Sequence, residues 1–149
     1  MSLFESFLSQ FQKAFIVDSR WKIFLKGFVN TMIITLAAAA IGILIGVVIA
    51  VFRHMASQKD PRKKRTFGSA VIGVIDRLMA AYVAVIRGTP LAIQLMIMAF
   101  IVLRGVSDGM VVAIVAFGLN SGAYVSEVIR AGIQSVDGGQ MEAGRSLGL

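Results

Sequence analysis

The chain has 149 residues, 57% of them hydrophobic, with a mean hydropathy of +0.82 and a formal net charge of +7. That is more apolar surface than one small soluble core would bury, so a lipid bilayer is the expected solvent. With no cysteine and a single histidine, His54, the sequence excludes disulfides, thiolate metal sites and cysteine nucleophiles, and offers no ligand cluster.

Residues 1–27 lack the basic start, apolar stretch and small-residue cleavage site of a secretion signal. Phe4, Phe7, Leu8, Phe11 and Phe15 instead recur at helical spacing, and Ser2 with Glu5 has the spacing of a capping box. An amphipathic helix at the membrane surface is expected here, with a frayed terminus as the alternative. Between Lys26 and Arg53 come 26 residues without a charge, enough helix to cover about 39 Å and to span a bilayer with tilt. Within this run Ala37 to Ala40, Gly42 and Gly46 are small, which allows another helix to approach closely in lipid.

Six of the fifteen cationic residues, Arg53, Lys59, Arg62, Lys63, Lys64 and Arg65, crowd into the next stretch. A basic block directly after a long apolar run reads as a cytoplasmic membrane loop and not as a nucleic-acid surface. Residues 67–86 are apolar but carry Asp76 and Arg77, which would be costly at the bilayer centre, so this stretch is placed at the cytoplasmic interface. Thr89 before Pro90 resembles a helix start. A second span is expected from Leu91 to Leu103, short for a bilayer crossing unless neighbours shelter it. Arg104 to Gly109 reads as an external turn, and Met110 to Val125 as a third span. In this arrangement ten cationic residues fall inside (Arg53, Lys59, Arg62, Lys63, Lys64, Arg65, Arg77, Arg87, Arg130, Arg145) and five outside, which places the N-terminus outside. The expected fold is an all-α integral membrane protein with three spans, an N-terminal amphipathic helix and an interfacial helix.

No Gly-rich loop ending in Gly-Lys-Ser or Gly-Lys-Thr is present, so the chain is not expected to bind or hydrolyse ATP itself. Nor does any serine or threonine have an evident base, which leaves nucleophilic catalysis unsupported. The informative groups are polar ones in apolar runs: Gln94, Asn120, Ser121 and Glu127, candidates for the wall of a translocation route. For Gln94 and Asn120 an interhelical hydrogen bond is an equal reading. Glu127 and Arg130, three apart, read first as a local ion pair.

Three stretches resemble the polar amino acid permeases of the ABC importer superfamily, the histidine, glutamine, arginine and opine group. Gly27, Thr31, Gly42, Gly46 and Arg53 follow the order of that group's opening span. Tyr82, Arg87, Gly88, Thr89, Pro90, Leu91 and Gln94 are similar to its segment before the second span. The run Gly122, Ala123, Tyr124, Glu127, Arg130, Ile133, Gly139, Gln140, Glu142, Ala143 and Gly148 resembles the approach to its Glu-Ala-Ala signature loop. The chain departs from that pattern at Gly144, where the group has alanine; glycine there weakens a helix by about 1 kcal/mol.

The resemblance implies that residues 28–149 form a permease domain reaching into the signature loop, with 1–27 an external segment, and that the rest of the loop and further spans would follow Leu149. It implies that Gly139, Gln140, Glu142, Ala143, Gly144, Arg145 and Gly148 contact a separate ATP-binding subunit, which binds ATP and Mg. It further implies a second permease subunit, the same or related, and an extracytoplasmic solute-binding protein as partners, in the bacterial cytoplasmic membrane. Two other classes stay open from the residues alone. One is an ion-coupled transporter or channel subunit using Glu127 and Arg130; the other is a membrane scaffold whose basic loop recruits anionic lipid.

Overall fold

The computed structural model describes residues 3–58 and 67–148, and every regular element among them is helical. They fall into two compact units, Met1–Leu36 and Ala37–Leu149. In the first, α1 (Leu3–Phe11) is followed by a π-helical turn (Gln12–Ile16) and a 3-10 turn (Val17–Ser19). The phenylalanine spacing does form one helical face. Phe7 and Phe11 have ring centroids 6.4 Å apart, Phe11 and Phe15 4.9 Å, and Phe15 meets Phe24 at 4.8 Å. Ser2 of the expected capping box lies outside the described residues.

Helix α2 runs Trp21–Ser57, 37 residues, about 55 Å at the standard rise and well beyond a hydrocarbon core of about 30 Å. Its charge-free segment is the expected first span, but the helix does not stop where charge returns. Arg53, placed in a loop by the sequence pattern, belongs with His54 to its last turns, because nothing there breaks the backbone ladder. Lys59, Arg62, Lys63, Lys64 and Arg65 lie outside the described residues.

Helix α3 (Phe67–Gly88) is a single helix over the stretch placed at the interface. By length and composition it is apolar enough to cross a membrane, as are α2 and α5. The expected second span is less regular. Helix α4 (Leu91–Ile97) passes into π-helical turns at Met98–Val102, closed by the Leu103 N–H on the Met98 carbonyl at 2.8 Å. Thr89 does not cap α4: the capping position is Pro90, in extended conformation, and the Thr89 hydroxyl donates back to the Val85 carbonyl at 2.8 Å.

Helix α5 (Gly109–Gln134) is longer than the expected third span and takes Glu127 and Arg130 into its body. Asp108 starts it, its Oδ1 accepting the Met110 N–H at 2.8 Å. Asp137 starts α6 (Gly138–Ser146) in the same way, accepting from the Gly139 N–H at 2.8 Å.

The core of the second unit is a reciprocal small-residue contact between α2 and α5. A Cβ added at Gly42 would lie 2.5 Å from Ser121 Cβ, and one at Gly46 2.5 Å from Val125 Cγ1; one at Gly118 would lie 2.9 Å from Ile41 Cγ2, and one at Gly122 2.7 Å from Ile45 Cγ2. Glycine at four spacing on both helices is what lets the backbones approach this closely. Because 41, 42, 45 and 46 of α2 meet 118, 121, 122 and 125 of α5 in rising order, the two helices run parallel. The chain between them must therefore return once, and α3, α4 and the π-helical turns make that return. Val83 of α3 closes the core with Ile49 and Ala123, and the Tyr82 hydroxyl donates to the Leu119 carbonyl.

Candidate functional site

Two polar constellations stand out against this apolar frame. The first forms where Pro90 interrupts the path from α3 to α4. In a continuous helix the Ile86 carbonyl would accept from the backbone N–H of residue 90, which proline lacks. Gln94, one turn into α4, supplies the missing donor: its Nε2 lies 2.7 Å from the Ile86 carbonyl oxygen, 3.0 Å from that of Thr89 and 2.8 Å from Thr89 Oγ1. Its Oε1 accepts from Asn120 Nδ2 at 3.1 Å, so the junction is also tied to α5. Gln94 is buried, and a carbonyl left unpaired in such a place costs about 1–3 kcal/mol. Of the two sequence readings for Gln94 and Asn120, the interhelical bond is thus present. Ser121, by contrast, packs against Gly42 at the closest approach of α2 and α5.

The second constellation gathers around Glu127. Arg130 binds it through two nitrogens, Nε to Oε1 at 3.0 Å and Nη2 to Oε2 at 2.7 Å. This is the ion pair expected from the sequence, but it is only part of the arrangement. Arg53 of α2 reaches Glu127 Oε1 at 3.3 Å and Asp76 of α3 at 3.4 Å; Arg87 of α3 reaches Glu127 Oε2 at 3.3 Å. The Arg87 guanidinium also lies 5.5 Å from the centre of the Tyr124 ring, within cation–π range. Three arginines thus surround two carboxylates, and the last turns of α2 and the C-terminal third of α5 are cross-linked to α3 at two points. An open cleft of about 160 Å³ beside them is lined by Arg53, His54, Ser57, Asp76, Arg130 and Gln134, among others. Sequence reasoning treated Arg53 as a loop charge and Asp76 as a marker of depth. The one legible signal for their role was that charged residues within otherwise apolar helices need partners.

Helix α6 follows α5 after three residues, Ser135 to Asp137. Glu142, Ala143 and Arg145 are exposed on it, and Gln140 is exposed near its start. Among the described residues no ion pair joins Glu142 to Arg145, although their spacing permits one. Gly144 has open space where a side chain would stand, so nothing around it demands glycine. Gly148 is different: at φ +81° it ends the helix, its N–H bonding the Arg145 carbonyl at 3.1 Å. Of the motif residues, Arg87, Tyr124 and Arg130 meet at the Glu127 cluster, Thr89 and Pro90 form the α3–α4 junction beside Gly88, and Gly139 donates its N–H to the Asp137 cap of α6.

Comparison with known proteins agrees with this arrangement. Residues 68–149 match the family described as binding-protein-dependent transport system inner membrane component. The chain is 41% identical over 128 residues to the arginine transport system permease protein ArtQ of Bacillus subtilis, covering 84% of this chain and 52% of that protein. It is 40% identical over 124 residues to a putative glutamine transport system permease protein of Rickettsia bellii, covering 81% and 52% respectively. To the L-cystine transport system permease protein TcyB of Bacillus subtilis it is 34% identical over 134 residues, covering 89% and 51%. It therefore spans about half the length of these relatives. A crystal structure of an amino acid ABC transporter with histidines superposes with a TM-score of 0.69 at 34% identity, covering 96% of this chain and 57% of that one. With long apolar helices, a parallel small-residue core and this match over most of its second unit, the chain belongs to the family of inner membrane components of binding-protein-dependent transport systems.

Proposed function

We propose that this chain acts within the permease subunit of an ATP-binding-cassette importer, carrying a polar amino acid across the bacterial cytoplasmic membrane with energy from a separate ATPase. The observation that carries the reading is α6: a short exposed helix, three residues beyond a membrane-length helix, in a member of this transport family. The relatives named for glutamine, arginine and cystine support the substrate class.

In this reading Gly139, Gln140, Glu142, Ala143, Gly144, Arg145 and Gly148 form the surface that seats in a groove of the ATP-binding subunit. ATP and Mg belong to that partner. Displacement of α6 passes through residues 135–137 into α5, and the Glu127 cluster carries it to α2 and α3, which rock as one body between two packings. A second permease subunit completes the route, and an extracytoplasmic solute-binding protein delivers the solute. The N-terminus lies outside, as the cation asymmetry favours. Gln94, Asn120 and Glu127 belong to the frame of the route with their polar atoms already engaged, and Ser121 belongs to it through the close contact of α2 and α5. Engagement of Glu127 by three arginines also weighs against a titrating ion-coupling site there.

The test is Glu142→Lys in the full-length subunit expressed with its partners. ATPase co-purification and amino acid uptake are both expected to fall steeply, with the subunit itself still present in the membrane. Retention of both at wild-type level would defeat the reading.

A further inference from the structure

We infer that Gln94 is a positioning residue: its side-chain amide takes the place of the backbone N–H that Pro90 lacks and so sets the angle between α3 and α4, without touching the transported solute.

Three observations carry this. The Ile86 carbonyl, four residues before Pro90, is the one orphaned by proline, and it receives the shortest of the Gln94 bonds, 2.7 Å. The same nitrogen also reaches the Thr89 carbonyl and hydroxyl, so one side chain shares its two N–H bonds among three acceptors at the break. Its oxygen is occupied by Asn120, which leaves no hydrogen-bonding atom of the amide turned toward a solute. Packing on one side of the joint is incomplete. An apolar cavity of about 240 Å³ flanks it, lined by Ile86, Ile93, Ile97, Met98, Ala116 and Leu119 among others. On that side the hydrogen bonds brace the angle, and their removal is expected to widen the swing of α4.

The transport consequence rests on the importer reading; the structural one does not. In the full-length subunit, with any cysteine beyond this cysteine-free chain replaced by serine and the subunit assembled with its partners in lipid nanodiscs, spin labels at Leu78 of α3 and Met96 of α4, both exposed, report the joint directly. The wild type is expected to give one narrow distance distribution. Gln94→Leu is expected to broaden it, because Ile86 and Thr89 lose their donor while side-chain volume is kept. Pro90→Ala combined with Gln94→Leu returns a backbone N–H to the break and is expected to give a narrow distribution again, shifted toward the roughly 27 Å of a continuous 18-residue helical separation. Gln94→Met, the unbranched isostere, repeats the measurement should the leucine variant fail to assemble. An unchanged distribution in both single variants, or a double variant as broad as Gln94→Leu, overturns the proposal.

In uptake assays the single variants are expected to lower the maximal rate about tenfold with KM unchanged, the equivalent of one lost buried hydrogen bond expressed in the working conformations. A raised KM with unchanged distances would mean that Gln94 touches solute, and would overturn it as well. A wild-type assembly that imports no amino acid defeats the importer reading alone, since the distance measurement still decides the joint.

Discussion

Gly46 and Gly144 both sit inside helices, where glycine is intrinsically poor, yet their surroundings give them opposite value. A Cβ at Gly46 would stand 2.5 Å from Val125 Cγ1 and 3.0 Å from the Ser126 backbone nitrogen. Gly46→Val should therefore wedge α2 from α5, costing about 1–3 kcal/mol, visible as a lower thermal midpoint in detergent. Gly144 meets nothing within 4 Å. Gly144→Ala should stabilise α6 by about 1 kcal/mol, read as roughly fivefold slower amide exchange in that helix. Glu127 is the other residue whose value comes from its neighbours. Glu127→Gln leaves Arg53, Arg87 and Arg130 crowded around a neutral amide. Their side chains are 23%, 44% and 41% exposed and can rehydrate, so the loss should be about 2 kcal/mol, below that of a fully buried pair. Adding Arg130→Gln should recover part of it in a double-mutant cycle of thermal unfolding; strict additivity would show that the cluster is not a unit.

Among the elements, α1 and the start of α2 combine exposed aromatic rings with cations. Phe4, Phe7 and Trp21 are exposed, and Lys13, Arg20, Lys22 and Lys26 lie along the same segment, Leu3 to Lys26. Trp21 is the only tryptophan, so its fluorescence reports this segment without background. In vesicles the emission should be blue-shifted and quenched by lipids brominated near the headgroup more than by those brominated at the chain end. Equal quenching at both depths would place Trp21 deeper than an interfacial helix allows. The helical periodicity of this segment was legible from its phenylalanines. The start of α5 was legible to within a residue, but its end was not, and the Asp108 and Asp137 side chains that cap α5 and α6 were not picked out from the sequence. The α3–α4 break was only half legible: Pro90 announces it, but the cap that Thr89 suggests is not used, because the hydroxyl bonds back to Val85 and Gln94 does the work at the break.

For the molecule as a whole, parallel packing of α2 and α5 puts Ser57 and the end of α5, from which α6 follows, at one end of the helix pair and Val106, in the turn before α5, at the other; in the proposed orientation Ser57 and Arg145 lie on the cytoplasmic side. Because the chain has no cysteine, single cysteines at these positions can be labelled with an impermeant maleimide. Positions 57 and 145 should react from the cytoplasmic face only, and 106 from the outer face only. Reaction of 57 and 145 from opposite faces would contradict the parallel arrangement itself. Hydropathy and residue spacing by themselves determined that the protein is helical and membrane-bound, roughly where its long apolar helices run, and which family it resembles. Such properties are written locally, in composition and in repeats a few residues long. What only the tertiary structure decided is which polar groups meet: Arg53 with Glu127, 74 positions apart, Arg53 with Asp76, 23 apart, and Gln94 with Asn120, 26 apart. Those partnerships depend on the rotation and crossing of whole helices, set by where glycines let backbones touch, and no local period encodes them.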